Sequence, residues 1–170
     1  MIAWDSSIDE EISNSVKKII SDVRRNGDSS VLDYTKQFDS IMAKSISELT
    51  ISKESLKQSF DNLENEQKDA LLIAAERIKS YHQNQVQESW NYSEDDGTLL
   101  GQKITPLERA GLYVPGGKAA YPSSVLMNSI PAKVAGVEEL IMVVPTPKGI
   151  VNELVMAAAY VACLLYTSPS

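Results

Sequence analysis

The segment with the clearest chemical potential is the glycine turn Gly111-Leu-Tyr-Val-Pro-Gly-Gly117. Its first residues favour a short buried strand, and the Pro-Gly-Gly turn after them allows positive φ angles and a close approach of the backbone to a ligand. A helix predicted from about Pro122 places its free N–H groups and positive dipole end after the turn. Because ligands of open α/β sheets bind at the carboxyl ends of strands, this loop is a candidate site for a nucleotide or a small anion.

A simpler interpretation of the same residues stays open. One Pro-Gly-Gly sequence is also typical of an ordinary tight turn between a strand and a helix, and it matches neither the dinucleotide fingerprint G-x-G-x-x-G nor the phosphate loop G-x-x-x-x-G-K-[ST]. Tyr113, at the strand end, is either a cofactor contact or a packed aromatic side chain. Lys118 either meets a phosphate or extends into solvent, and the sequence does not fix the roles of Gly116 and Gly117.

The inventory of metal ligands and nucleophiles is sparse. The chain has one histidine, His82, and one cysteine, Cys163. A structural zinc site uses four Cys or His ligands, and a catalytic one usually combines His with carboxylates. With a single imidazole, the chain also has few ways to form a Ser-His-Asp or Cys-His catalytic site. Since His82 lies in a predicted helix next to Tyr81, we interpret it as a packed or surface histidine, and we predict no catalytic or metal site within the chain.

The first half of the chain has the hydrophobic spacing of helices. Apolar residues recur at helical intervals over residues 8–23, with a capping box starting at Ser7 and a glycine stop at Gly27. Residues 1–88 are therefore expected to form a helical N-terminal region with one short strand. Within it, further helices are predicted over residues 28–38, 52–63 and 65–85, with caps at Asp28 and Ser52, and the strand over residues 46–51.

The pattern changes to an alternation of strands and helices after Trp90. A β-hairpin is predicted from Trp90 to Ile104, turning at residues 95–97. From residue 110 onward the predicted order is strand, glycine turn, helix, strand, helix, which implies an α/β fold with two parallel strands. The first strand covers residues 110–114. The helix after the glycine turn begins at about Pro122, and Pro131 should break or kink it. An apolar strand over residues 140–144 is of the type buried in parallel sheets, and a helix capped by Asn152 follows it.

Charge and hydropathy exclude several classes of function. The net charge of −7 argues against a general nucleic-acid binder, because phosphate binding needs clustered Lys and Arg. The longest apolar stretches are far shorter than the ~20 residues that span a bilayer. The first residues lack the basic and apolar regions of a signal peptide, and the single cysteine forms no internal disulfide. These features predict a cytoplasmic protein without a membrane partner.

A long continuous stretch, residues 106–137, resembles the signature region of histidinol dehydrogenases, with Gly111-Leu-Tyr-Val-Pro-Gly-Gly117 inside it. The segment Val143-Val-Pro-Thr-Pro147 is similar to the same family. The resemblance extends from near the start of the chain to about Ala162. Weaker N-terminal features agree with it, namely Arg25-Asn-Gly-Asp28, Tyr34-Thr-Lys-Gln-Phe-Asp39 and Tyr81-His82.

The resemblance implies an enzyme that oxidises L-histidinol to L-histidine in two steps, with two NAD+ and a bound zinc, at the end of histidine biosynthesis. It also implies a Rossmann-like fold, of which residues 89–162 are the beginning, and a homodimer. The family's tyrosine in the glycine motif contacts NAD, and the matching residue here is Tyr113. The family's other NAD contacts, its zinc ligands and its catalytic Glu-His pair fall later than this sequence, so the chain is expected to be an inactive N-terminal fragment.

Two alternatives stay open, one from another class of protein and one from within the enzymes. A non-catalytic nucleotide-binding or oligomerisation module would keep the glycine turn and the helical region but would bind without reacting. A fragment of an aldehyde-dehydrogenase-like reductase shares the α/β organisation, although that family needs a catalytic cysteine in a downstream motif that this chain lacks.

The last residues, 163–170, depart from the family pattern, which continues after Ala162 with a glycine and another strand. They resemble a translated transposase-adapter sequence from DNA library preparation. We therefore expect a non-native tail without a role in function, which packs poorly or merely extends the last helix. A chain that stops within a parallel-sheet domain is also expected to leave an apolar sheet edge uncovered.

Overall fold

The computed structural model describes residues 6–115, 121–146 and 149–164. They fall into two compact units, which divide near Ile51 and Ser52, with Gly149 grouped with the first unit. The predicted boundary between residues 88 and 89 stays a prediction for the intact protein. Within this chain, the helices between residues 53 and 83 share a core with later helices, and the compact units therefore divide earlier in the sequence.

All described regular elements of the first unit are helices. Helix α1 covers Ser6–Asn26 and helix α2 covers Asp28–Asp39. Gly27 ends α1 as predicted, with a φ of 61° that glycine adopts without steric cost. The capping box predicted at Ser7 is wrong, because the helix has already begun at Ser6.

The short strand predicted over residues 46–51 is also wrong. Residues Ile46–Leu49 form a 3₁₀ helix instead. The hydroxyl of Thr50 donates to the carbonyl oxygen of Ile46 at 3.0 Å, which closes this turn on itself. A loose alternation of apolar residues favours a strand only when a partner strand lies beside it, and the described residues place none there.

Polar contacts connect α1 with α2. The Tyr34 hydroxyl donates to the Asp22 carboxylate at 2.6 Å, and the hydroxyl of the buried Ser30 donates to the Asp22 carbonyl oxygen at 3.2 Å. The hydrogen bond to Asp22, followed by desolvation and the negative charge, raises the pKa of Tyr34 above its ordinary value. The ring of Tyr34 also stacks on Phe38. The two helices are thus joined by specific hydrogen bonds, which matters for the chemistry of the junction between them.

The second unit is a helical core with two small sheets. The Ser52 hydroxyl caps the first of its helices, accepting the N–H of Ser55 at 3.2 Å as the sequence predicts. A reciprocal capping box formed by Glu64 and Gln67 starts the next helix. These helices are α3 at Lys53–Asn62, α4 at Asn65–Gln83, α5 at Pro122–Val134 and α6 at Glu153–Leu164.

Helix α6 lies at the centre of this unit. It is apolar over most of its length, and a helix that is apolar all round is stable only when other elements surround it. It packs against α3, α4 and α5. Half of the described buried cluster belongs to it; the cluster consists of Leu63, Leu71, Ala75, Val114, Val125, Leu126, Ile130, Val155, Met156, Ala157, Ala158, Ala159, Val161 and Ala162.

Both sheets have the topology that the sequence predicts. Strands β1, Trp90–Ser93, and β2, Leu99–Gln102, form an antiparallel hairpin. Strands β3, Arg109–Tyr113, and β4, Glu139–Val143, pair in parallel with Tyr113 opposite Val143. The order β3–α5–β4–α6 confirms the α/β class and the adjacent parallel strands.

Pro131 does not interrupt α5, which is assigned as one helix to Val134. The alternative that Pro131 breaks the helix is therefore wrong, and the alternative that it kinks the helix stays a prediction. A proline inside a helix removes one N–H donor, here the one that would reach the carbonyl of Met127. Buried side chains on the same helix, including Ile130, hold the segment against the core, and Pro131 lies only one turn from the end.

Replacement of Asn152 by alanine should lower the free energy of unfolding of the second unit by about 1 kcal/mol. The Asn152 Oδ1 accepts the N–H groups of Leu154 and Val155, both at 3.1 Å, at the start of α6. Alanine leaves both donors without this acceptor. Urea denaturation followed by circular dichroism measures the loss.

The matched control is Asn128→Ala, which changes an exposed asparagine within α5. We expect this control to shift the free energy of unfolding by no more than about 0.5 kcal/mol. Equal losses for the two variants would show that the cap at α6 contributes nothing specific.

Candidate functional site

The candidate site is the carboxyl end of β3, where Tyr113 lies as the sequence predicts. Side chains alternate between the two faces of a strand, and in β3 and β4 every second residue, from Arg109 and Glu139 onward, is exposed. Tyr113 belongs to this exposed face, with 64% of its surface accessible. The alternative that Tyr113 packs into the core of this chain is therefore wrong for the described residues.

The neighbours of Tyr113 on that face are apolar or lack a side chain. Val143 lies opposite it in the parallel register and is 57% exposed, and Ile141 is 45% exposed. Gly111 pairs with Ile141, and a Cβ built on it has no neighbour within 4 Å. The result is an open, mostly apolar surface beside the tyrosine ring, of the kind that suits the flat face of an aromatic ring.

The backbone after Tyr113 is fixed by β4 and by the core. The N–H of Val114 donates to the carbonyl oxygen of Val143 at 3.0 Å, and the Val114 side chain is fully buried. Tyr113 is therefore presented from a rigid strand end. Gly116, Gly117 and Lys118 lie outside the described residues, so their predicted roles stay predictions.

Helices begin after both strand ends but are capped differently. Helix α5 starts with Pro122, which has no N–H, and the N–H groups of Ser124 and Val125 donate to the Tyr121 carbonyl oxygen. Helix α6 is capped by the Asn152 side chain. The predicted strand before the glycine turn and the predicted helix after it are therefore present, whereas residues 116–120 of the turn lie outside the described part of the chain. The chain itself uses several of the N–H groups that an anion would need.

His82 lies near the end of α4 and contacts Gln85 rather than a set of ligands. Its Nδ1 is 2.6 Å from the Gln85 Oε1, and its ring meets the edge of Tyr81. Across the described residues, no group of three or more His, Cys, Asp or Glu side chains is arranged to hold a metal ion. The residues present in the described part of the chain therefore do not fit a zinc site.

The sequence analysis missed an ion pair at the opposite end of the two strands. Arg109 Nε donates to Glu139 Oε2 at 2.7 Å, and the Arg109 Nη2 is 2.6 Å from the same oxygen. The two residues face each other in the parallel register. Opposite charges directly before the two predicted strands were the available signal. The pair lies at the first position of the same register that places Tyr113 opposite Val143.

The order of strands and helices defines an α/β protein with a parallel strand pair. No described helix is both long and apolar enough to cross a membrane. The family model for histidinol dehydrogenase matches residues 4–164. The chain belongs to the histidinol dehydrogenase family.

Individual relatives agree with this assignment. The chain is 53% identical over 162 residues to the histidinol dehydrogenase of Pseudomonas aeruginosa, covering 95% of the chain and 37% of that protein. It is 54% identical to the enzyme of Neisseria meningitidis serogroup A, covering 38% of that protein. The crystal structure of the Elizabethkingia anophelis histidinol dehydrogenase has a TM-score of 0.78 and 26% identity, over 95% of this chain and 36% of that one.

The chain thus spans less than two fifths of the length of these relatives and corresponds to their N-terminal part. Family membership decides against a fragment of an aldehyde-dehydrogenase-like reductase. The family match and the described part of α6 both extend to residue 164. The predicted tail therefore at least partly extends the last helix, and its remaining residues, 165–170, lie outside the described part of the chain.

Proposed function

We propose that this chain forms the N-terminal part of an enzyme that oxidises L-histidinol to L-histidine with NAD+ in histidine biosynthesis. The observation that carries the proposal is the family match over residues 4–164. The parallel strand pair with an exposed tyrosine at its carboxyl edge supports it, since α/β enzymes bind cofactors at such edges. The intact protein is proposed to be cytoplasmic and homodimeric, without nucleic acid or membrane as partners.

Tyr113 is the residue we assign to cofactor binding. Its ring is exposed beside Val143 and Gly111, and its backbone is held by the hydrogen bond from Val114 to β4. A rigid, exposed aromatic ring offers a flat surface at little conformational cost when a nucleotide binds. NAD+ supplies the hydride acceptor when bound, and this chain's contribution is to orient it through the strand end.

The zinc and the proton-transferring residues are proposed to come from the rest of the intact enzyme. The described residues provide no cluster of metal ligands, and the chain has a single histidine. In the intact protein the zinc would orient the substrate, and a histidine and a glutamate would move its protons. No step of the reaction is assigned to residues of this chain beyond the binding and orientation of NAD+.

A chimera tests the proposed function directly. Residues 1–162 replace the matching segment of the Pseudomonas aeruginosa histidinol dehydrogenase, a protein to which the chain is 53% identical over 162 residues. The purified chimera is expected to form NADH from histidinol and NAD+ and to restore growth of a histidine auxotroph. A folded dimeric chimera that binds zinc but forms no NADH would contradict the proposal and favour a non-catalytic module.

Within this chimera, Tyr113→Ala should raise the Kd for NAD+ about tenfold, which corresponds to about 1.4 kcal/mol. The substitution removes the exposed ring at the strand end and leaves the affinity for histidinol nearly unchanged. Titration of the folded variant with NAD+ and, separately, with histidinol measures both constants.

The matched control is Tyr81→Ala, because Tyr81 is 65% exposed and Tyr113 is 64% exposed. This control is expected to leave the Kd for NAD+ unchanged. Tyr113→Phe separates the contribution of the ring from that of the hydroxyl. If NAD+ affinity is the same in the alanine variant and in the parent chimera, Tyr113 is not a cofactor contact.

A further inference from the structure

The junction between α1 and α2 contains a chemically reactive pair of residues that the enzymatic function does not use. Asn26 is followed by Gly27, and this is the only Asn-Gly pair in the sequence. Asn26 is the last residue of α1. Both residues are exposed, so water has access to the bond between them.

An Asn-Gly pair can deamidate without an enzyme. The backbone nitrogen of Gly27 attacks the side-chain amide carbon of Asn26, a C–N bond forms, and the bond to Nδ2 breaks as ammonia leaves. Water then opens the cyclic imide at either carbonyl, which gives aspartate or isoaspartate, and no redox change occurs. Glycine favours the attack because it has no side chain to shield the nitrogen.

The folded junction opposes this reaction at both reacting groups. The Gly27 N–H donates to the Val23 carbonyl oxygen at 2.8 Å, and the Asn26 Nδ2 donates to the Ser30 hydroxyl oxygen at 3.2 Å. The Ser29 hydroxyl in turn donates to the Asn26 carbonyl oxygen at 3.0 Å. Ring closure therefore requires Asn26 to leave the last turn of α1 and to give up its contact with Ser30.

We propose that the Asn26-Gly27 junction is a site of spontaneous deamidation, which the last turn of α1 and Ser30 protect and which opens when α2 separates from α1. The ends of helices open more readily than their interiors. The site is therefore protected by a local contact that breaks without unfolding of the rest of the molecule.

The product cannot rebuild the junction that protected the site. An aspartate at position 26 has no donor for the buried Ser30, and it adds negative charge at the carboxyl end of a helix, where the dipole disfavours it. Asp22 and Asp28 already lie on either side, and the cations Arg24 and Arg25 in the last turn offset this only in part. Isoaspartate also lengthens the backbone by one atom. Deamidation consequently weakens the contact between α1 and α2 at this junction, where the hydrogen bonds to Asp22 remain.

The test compares the full 170-residue chain with a synthetic peptide of residues 20–33, which lacks the protecting contacts. Both are incubated at mildly alkaline pH, below the raised pKa of Tyr34, because loss of its proton would break its hydrogen bond to Asp22. Peptide mapping by mass spectrometry then measures conversion at Asn26. We expect conversion in the folded chain to be at least about tenfold slower than in the peptide and to accelerate in low urea.

Asn84 is the control within the same molecule. It is the C-cap residue of α4, is exposed, and donates from its Nδ2 to the Ser80 carbonyl oxygen at 2.8 Å, but Gln85 follows it instead of glycine. We expect it to keep its amide while Asn26 converts. Conversion of Asn26 in the folded chain as fast as in the peptide would overturn the protection. An intact Asn26 in low urea, after the peptide has converted, would overturn the proposed opening.

The variants Asn26→Asp and Asn26→Gln test the consequence for the junction. Circular dichroism first establishes that both retain their helices. Hydrogen exchange at the N–H of Gly27 and Ser30 is expected to accelerate several-fold in Asn26→Asp, and much less in Asn26→Gln, which keeps a neutral amide donor. Equal exchange in Asn26→Asp and the parent chain would show that the product does rebuild the junction.

Discussion

The 170-residue chain, incubated with zinc, L-histidinol and NAD+, is expected to form no NADH above background. Hydride transfer requires a bound nicotinamide, a positioned alcohol and a base in one place. The described residues present the strand end with Tyr113 but no group of metal ligands. The chimera with the remainder of the Pseudomonas aeruginosa enzyme is expected to be active under the same conditions. The isolated chain is therefore predicted to lack all of the NADH formation that the chimera shows.

NADH absorbance and bound zinc are to be measured together, with circular dichroism to establish that the chain is helical in the assay. The chimera serves as the positive control, and a boiled sample gives the background. Steady NADH formation by the chain itself, together with tight stoichiometric zinc, would show that the active site lies within these residues.

Replacement of Leu126 by alanine is expected to lower the free energy of unfolding of the second unit by about 2–5 kcal/mol. Leu126 is 2% exposed and lies in α5 beside Val125 and Ile130, which are fully buried. Truncation of a fully buried leucine leaves a cavity that the surrounding side chains fill only in part. A loss of this size is a large fraction of the stability of a typical domain.

The matched control is Met127→Ala, at the next residue of the same helix. Met127 is 62% exposed, and its truncation is expected to change the free energy of unfolding by no more than about 0.5 kcal/mol. Urea denaturation of both variants gives the comparison. Similar losses for the two variants would mean that α5 is not packed as the structure describes.

Several features that depend only on neighbouring residues could be predicted from the sequence. Ser52, Asn152 and Gly27 were predicted as helix boundaries, and the structure confirms all three. The caps predicted at Ser7 and Asp28 are wrong, because both residues lie within their helices and Gly27 is the N-cap of α2. The parallel order of β3 and β4 also followed from the chain, since a strand, a helix and a second strand connect in one preferred way.

Two other errors, at residues 46–51 and in β4, arose where distant contacts decide the outcome. Residues 46–51 have a loose alternation, but their form depends on whether a partner strand lies nearby. Strand β4 was expected to be buried, and its Met142 does pack against the core, whereas Ile141 and Val143 on the other face are exposed. An apolar run identifies a strand, but which of its faces is covered depends on the elements around it.

The candidate site was predictable in position but not in detail. Tyr113 was singled out because it precedes a glycine turn at a strand end, and the structure places it there in the open. The ion pair of Arg109 and Glu139 was missed, because its recognition requires the register of the two strands. Register is a property of the pairing and is not contained in either strand alone.

The central place of α6 in the second unit has a consequence for the order in which the protein acquires structure during synthesis. Proteins are made from the amino end, and α6 is the last described element to leave the ribosome. Helices α3, α4 and α5 share a core that lacks half of its described side chains until residues 155–162 have been added. A nascent chain that has reached the end of α5 at Val134 but not yet residue 155 therefore exposes the apolar side chains that α6 later covers.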